Sequence, residues 1–160
     1  MANISTSNLI GVNLRSSDGT TANFALQSRV PAANDGEWVY IQANGAISAG
    51  ELVAINSAGT GTRATATLAA TGSQLAFAQF AIADTEYAWV AINGAPMTVS
   101  VSATSTLQAV LYVATTSGKL STTASSGTLA GIALLTASTT AVAASFLAIV
   151  TWPKCVGAGN

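Results

Sequence analysis

The chain has 160 residues, of which half are hydrophobic and only 7% are Asp, Glu, Lys or Arg, and its formal net charge is −1. This length is typical of one domain, and so little charge, with no basic cluster, argues against a nucleic-acid-binding protein. Because the sequence contains no histidine and a single cysteine, Cys155, it excludes the usual zinc sites and any Ser-His-Asp or Cys-His catalytic arrangement.

Residues 1–36 are predicted to form an N-terminal arm or lid, since they carry too few aromatic and branched residues to build a core. Short strands are expected at Leu9–Leu14 and Ala22–Leu26. The segment either reaches out and pairs with a neighbouring chain or folds back as a two-stranded lid on its own domain. If it reaches out, the expected contact residues within it are Leu9, Ile10, Val12, Leu14, Arg15 and Phe24.

The main domain is predicted to span residues 37–153. It begins with a strand at Glu37–Gln42, which is rich in aromatic and β-branched residues. Asn44-Gly45 then predicts a hairpin turn, and Glu51–Ile55 is the next strand. Thr62–Ala70 alternates Thr and Ala over most of its length and fits either an edge strand or a loop.

Residues 74–101 are predicted to form three strands around which the rest of the sheet is built. The first break is Ala83-Asp84-Thr85, and the second is Asn93-Gly94, the strongest short hairpin signal. Apolar residues fall on both faces of these strands, so we expect the sheet to be covered on both sides. One cover is the rest of the domain, and another subunit is a candidate for the second.

The last part of the domain is also predicted to be β-structure. Strands are expected at Leu107–Ala114, Lys119–Ser121, Leu129–Leu135 and Ala141–Trp152. Ser and Thr interrupt the apolar tract 129–152, which favours buried strands over a membrane span. A single short helix fits best within 136–145, and residues 154–160 are expected to be a loose tail.

The fold class that follows is all-β: an antiparallel β-barrel or sandwich with an extended N-terminal arm and at most one short helix. Short strands at regular spacing, separated by Gly and Asn-Gly turns, are typical of this class. No window of the sequence shows apolar residues at helical spacing opposite a charged face.

Two pairs of carboxylates are the nearest approach to a catalytic or metal site. Asp35/Glu37 and Asp84/Glu86 share an i, i+2 spacing, which places both members of a pair on one side of a strand. Paired carboxylates can hydrolyse glycosides or bind calcium, but these pairs stand at strand entrances without a ligand loop. We therefore interpret them as solvated turn residues and predict no catalytic, metal or cofactor site.

The three tryptophans, Trp38, Trp89 and Trp152, allow two interpretations. Because the neighbours of Trp38 and Trp89 are apolar, we expect these two to pack in the core or at a subunit boundary. The alternative is that the three indoles form a platform that binds sugars.

Five segments, read in order, carry a family resemblance. They are EWVYIQANGAISAGELVAINSAGTG, AFAQFAIADTEYAWVAINGA, VLYVATTSGKLSTT, LAGIALLTA and AIVTWP, within residues 37–153. Their succession resembles the small capsid cement, or head decoration, proteins of tailed bacteriophages, whose strands read in the style of GELVAINSAG at residues 50–59. Residues 1–36 have no firm counterpart in this pattern.

The resemblance implies a β-rich protein that is made in the host cytoplasm and sits on the outer surface of an icosahedral virion. It implies a homotrimer that bridges neighbouring major capsid subunits and stabilises the shell, with the N-terminal segment adding a strand to the capsid. The expected partners are thus copies of the chain itself and the major capsid protein, without nucleic acid, membrane or cofactor.

Two other functions stay open from the sequence. One is a receptor- or glycan-binding module of a phage fibre or surface appendage, which would present an exposed aromatic platform. The other is an enzyme that uses the Asp84/Glu86 region, which would hold both carboxylates in a cleft with raised pKa values.

Overall fold

The computed structural model describes residues 12–32, 35–102, 109–124, 127–136 and 144–156 of the chain. The protein is all-β with a closed β-barrel, which confirms the predicted class. One short helix, α1 (Ala66–Ala70), lies within these residues. The strands are β1 (Arg29–Ala32), β2 (Gly36–Ala43), β3 (Leu52–Ile55), β4 (Thr60–Arg63), β5 (Gln74–Phe77), β6 (Tyr87–Val101), β7 (Leu111–Val113), β8 (Leu120–Ser121), β9 (Thr128–Leu134) and β10 (Ala144–Cys155).

Strand β6 is central to the sheet because it belongs to two closed rings of strands. The strand order is β1-β2-β4-β3-β5-β6-β10-β9-β7-β8, with additional pairings of β2 with β6 and of β6 with β8. The first part of β6 pairs with β2 and its later part with β10. The first ring is therefore β2-β4-β3-β5-β6 and the second is β6-β10-β9-β7-β8. Only β2–β4 and β6–β8 pair in parallel within the described residues.

Both faces of the central strands are covered by the chain itself. One cluster of buried side chains, which includes Val53, Ala76 and Val90, lines the inside of the first ring. A second joins the opposite face, with Leu52 and Phe77, to side chains of the second ring. The second ring therefore covers this face of β3 and β5, a cover for which another subunit was a candidate.

The predicted hairpin at Asn93-Gly94 is wrong, since β6 runs through these residues without a break. Opposite both β2 and β10, β6 carries one extra residue in this region, so the strand is bulged where it passes between the rings. Gly94 has φ +136°, and a Cβ on it would lie 3.1 Å from Gly36 Cα. The permissive glycine backbone thus serves a bulge and a close approach of two strands.

Asn44-Gly45 does end β2 as predicted, but it does not form a hairpin. Strand β3 returns beside β4, and β4 pairs in parallel with β2. The turn instead contacts the loop before β6, where the Gly45 N–H donates to Asp84 Oδ1 at 2.6 Å.

Other boundaries also differ from the prediction. The segment interpreted as an edge strand or a loop divides into β4 and helix α1, which Thr65 caps by accepting a hydrogen bond from the Leu68 N–H. The helix expected within 136–145 falls largely on residues 137–143, outside the described part. Strand β10 continues through Cys155, so the expected loose tail does not begin at residue 154; residues 157–160 are not described.

Gly61 tests the packing inside the first ring. Gly61→Ala is expected to lower the free energy of unfolding by about 1–3 kcal/mol, because the new Cβ would meet Ile41 Cδ1 and lie 2.9 Å from Val53 Cγ1. Ile41→Val removes the first of these atoms at a cost of about 0.5–1.5 kcal/mol. The loss of stability in the double variant should then be smaller than the sum of the losses in the two single variants. Denaturant unfolding of the four proteins measures this coupling, and strictly additive losses would contradict the contact.

Candidate interaction surfaces

Residues 12–32 pack against β2 and β6, with β1 paired alongside β2, so this part of the N-terminal segment folds as a lid on its own domain. Two hydrogen bonds join Asp18 and Gly19 to the main chain of Tyr87, each at 2.8 Å. Further along, the main chain of Gln27 and Ser28 bonds that of Tyr40. The strands expected at 12–14 and 22–26 are absent, and the ordered strand is instead β1. Residues 1–11 are not described.

Most of the predicted contact residues that the structure describes lie in this lid or directly beneath it. Trp89 is 1% exposed and Val12 is also buried, while Leu14, Phe24 and Trp38 are half-buried against them. Arg15 is exposed, and Leu9 and Ile10 lie outside the described residues. Their own chain covers Val12 and Trp89, so these two side chains could contact a neighbouring subunit only if the lid moved away.

Aromatic rings hold the lid in place. The Phe24 ring packs edge-on against Tyr40 and Trp89, with centroid distances of 5.3 and 5.2 Å. Tyr40 also stacks on Tyr87 at 6.0 Å. The buried indole N–H of Trp89 has no hydrogen-bond partner within the described residues. Such edge-on ring pairs add about 0.5–1.5 kcal/mol beyond their burial.

The Tyr40 hydroxyl is the polar anchor beneath the lid. It donates to Asp18 Oδ2 at 2.7 Å and accepts from the Asn23 N–H at 3.1 Å. Burial disfavours the phenolate and raises the pKa of Tyr40 to about 12; the Asn23 N–H lowers this pKa and the bond to Asp18 raises it. The hydrogen bonds of the protonated Tyr40 hydroxyl thus hold the lid against the barrel.

This pKa predicts a loss of stability in alkali. The folded protein holds the Tyr40 proton more tightly than the unfolded chain, whose pKa is 10.0. The resulting contribution to the free energy of unfolding is complete below pH 10 and is lost as the pH rises towards about 12. Tyr40→Phe should lack this component between these pH values. Denaturant unfolding against pH for both proteins measures it, and parallel curves would contradict the assignment.

Asp84 and Glu86 accept hydrogen bonds from the main chain of turns, from the Gly45 and Ala83 N–H groups. Hydrogen bonds from the Ser17 hydroxyl and the Ala83 N–H lower the pKa of Glu86, whereas an enzyme acting through Asp84 and Glu86 requires raised values. Glu37 pairs with Arg29 at 3.1 Å. Within the described residues, no three His, Cys, Asp or Glu side chains are grouped so that they could hold a metal ion.

The outer face of β9 and β10 exposes a set of apolar side chains that we call the apolar patch. Leu135 is 46%, Leu147 44% and Ile149 38% exposed. Ile149 lies opposite Ala133 in the register, and the Leu135 N–H donates to the Leu147 carbonyl at 2.8 Å. The patch is Ala133, Leu135, Leu147 and Ile149.

Sequence reasoning assigned residues 141–152 to a buried strand and missed the apolar patch. A signal was present, because Phe146–Val150 is a run of five apolar residues. Alternate residues of a strand face opposite sides, so such a run must present apolar side chains on both faces. Phe146, Ala148 and Val150 face the core, which leaves Leu147 and Ile149 outside.

The three tryptophans do not form a common platform. Trp89 is buried and Trp38 is half-buried, while Trp152 is exposed next to β1, with its ring 5.7 Å from the Arg29 guanidinium. An aromatic surface for sugars built from all three indoles is therefore excluded in this conformation.

The described residues contain no helix that is long and apolar enough to cross a membrane. Comparison of the chain with models of known protein families finds no match. Comparison with curated proteins finds no significant match either.

Proposed function

We propose that the protein is a structural component of a virion that binds the outer surface of an icosahedral phage capsid. It acts as a homotrimer and stabilises the shell by bridging subunits of the major capsid protein. The observation that carries this proposal is the apolar patch on β9 and β10, whose four side chains adjoin one another and carry no charge. Sites of protein association often present contiguous exposed apolar surface.

The composition supports association between copies of the chain. Only 11 residues carry charge, 5 basic and 6 acidic, so identical surfaces repel each other weakly. Ala, Ser, Thr and Gly lose little or no side-chain entropy when they are immobilised, whereas Lys, Arg and Glu lose up to about 2 kcal/mol each. A surface of these small residues therefore costs little to order against a neighbour.

The closed sheet also suits a shell-binding role. Closure leaves few strand edges free, which limits uncontrolled addition of strands. Among the described strands, β1 lies at the end of the strand order and pairs only with β2. Side-chain contacts through the apolar patch are then the route to a specific assembly, and modest contacts repeated over many copies raise shell stability through linkage.

Three measurements test the proposal. Sedimentation equilibrium of the purified protein should give the mass of a trimer. The protein should also co-sediment with empty shells that were assembled without it, and it should raise the temperature at which those shells come apart. Failure to bind the shells would overturn the proposed function. If the protein is a monomer that still binds the shells, only the proposed trimeric state is contradicted.

A further inference from the structure

An irregularity in β10 presents Trp152 to solvent. Val150 pairs with Ile132 and Lys154 with Ala130, so three residues of β10 face the single Gly131 of β9. The bulge turns Trp152 outward, where it is 49% exposed, while the following Pro153 is buried. Trp152 is thus an aromatic side chain displayed at the protein surface.

The backbone of Trp152 is strained. Its φ is +48°, in the left-handed region that bulky residues rarely adopt. Such a conformation costs on the order of 1–3 kcal/mol and persists where the surroundings enforce it, often at ligand sites. Half of this side chain remains in solvent beside the Arg29 guanidinium, where it is available to a ligand.

Trp152 stands beside an open groove of about 320 Å³ with an apolar floor and a polar rim. The nearly inaccessible residues Leu75, Ile92 and Pro153 form its floor, and Arg29 and Gln74 supply hydrogen-bonding groups. The volume lies at the lower end of the range for ligand sites, roughly 300–1,000 Å³. One or two rings of a small ligand fit a groove of this size.

The charged side chain among the lining residues, that of Arg29, is paired. Arg29 carries the positive charge, and its guanidinium pairs with the Glu37 carboxylate at 3.1 Å. A negatively charged ligand would have to compete with Glu37, and a positively charged one with Arg29. The site therefore favours a neutral ligand that presents an apolar face to the indole and several hydrogen-bonding groups to the rim.

We infer that Trp152, Arg29 and Gln74 form a binding site for a neutral carbohydrate. A pyranose ring combines a face of C–H groups, which stacks on an indole, with equatorial hydroxyls that reach the side chains of the rim. This inference goes beyond shell binding and does not depend on it, because the groove and the apolar patch have no residue in common.

The direct test is NMR of the indole N–H signals, with Trp152 identified by the signal that disappears in Trp152→Phe. Methyl glucoside, methyl galactoside, N-acetylglucosamine, maltose and lactose are titrated at millimolar concentration. At least one should shift the Trp152 signal and leave that of the buried Trp89 in place. Glucosamine and N-acetylneuraminic acid serve as charged probes. A response to these two alone, or to none of the sugars, would overturn the inference.

A substitution separates recognition from structure. Asparagine tolerates the left-handed conformation, so Trp152→Asn should keep or raise the thermal stability of the protein. It should also weaken binding of the responding saccharide by about tenfold or more, as expected for loss of a central aromatic contact. Val110→Asn, at an exposed apolar residue outside the groove, is the matched control and should change neither property. Unaltered binding, or a large loss of stability in Trp152→Asn, would show that the indole serves the fold.

Discussion

Gly131→Ala is expected to lower the free energy of unfolding by about 2–5 kcal/mol, because strain and overpacking add at this position. Gly131 has φ +82°, and a Cβ would collide with the Thr151 carbonyl oxygen and lie 3.2 Å from that of Trp152. Both obstacles are main-chain atoms of the β10 bulge, so no side-chain rotation relieves the collision. The variant must either open the bulge or separate β9 from β10.

Gly72→Ala is the matched control for this effect. Gly72 has almost the same φ, +80°, but no atom lies within 4 Å of the position that its Cβ would take. It therefore reports the cost of the left-handed conformation alone, about 1–2 kcal/mol. Thermal or denaturant unfolding of both variants measures the difference. Equal losses would show that the bulge yields freely and that Gly131 is not needed for its geometry.

Leu147→Asp is expected to dissociate the proposed trimer and to weaken shell binding by about 100-fold or more. The substitution replaces a leucine of the apolar patch with a charge that would have to be desolvated in any contact. If the copies meet through this face, it also brings like charges together. Because Leu147 is exposed in the single chain, the fold itself should lose little stability.

Val110→Asp is the control for Leu147→Asp. Val110 is a more exposed apolar residue that lies outside the apolar patch, and the substitution makes the same change in net charge. Sedimentation equilibrium and co-sedimentation with shells should separate the two variants, with Val110→Asp behaving as the unmodified protein. If both variants assemble and bind equally well, another surface carries the association.

Local pattern was sufficient for most strands of the fold. Alternating aromatic and β-branched residues predicted β2 at Glu37–Gln42, and the observed strand extends this by one residue at each end. The run 129–135 likewise matched β9 to within one residue. These segments were predictable because burial of one or both faces of a strand produces a characteristic pattern of apolar residues in the sequence.

Turn signals were less informative, because the same backbone chemistry serves different connections. Asn93-Gly94 has the composition of a type I′ turn, yet it forms the bulge at which β6 crosses between two rings. Whether a flexible pair reverses the chain or bends it depends on the strands that lie alongside. Those partners come from distant parts of the sequence, such as β10.

The candidate surfaces were likewise only partly predictable from the sequence. The sequence excluded histidine-based and zinc chemistry and marked Trp38 and Trp89 as residues that would be covered, and both are covered at least in part. It left open whether the N-terminal segment would fold back as a lid on its own domain or reach a neighbouring chain, and residues 12–32 form such a lid. It also did not locate Leu147, Ile149 or Trp152 on the outside, since their exposure depends on register.

The sequence by itself determined the all-β class, the positions of most strands and the shortage of charge. Only the tertiary structure decided which apolar residues remain in solvent, how β6 joins two rings, and where the bulge displays Trp152. The reason is that strand period and turn propensity are local properties of the chain. Pairing register and strand closure depend on contacts between distant segments, and a shift of one residue exchanges the inner face of a strand for its outer face.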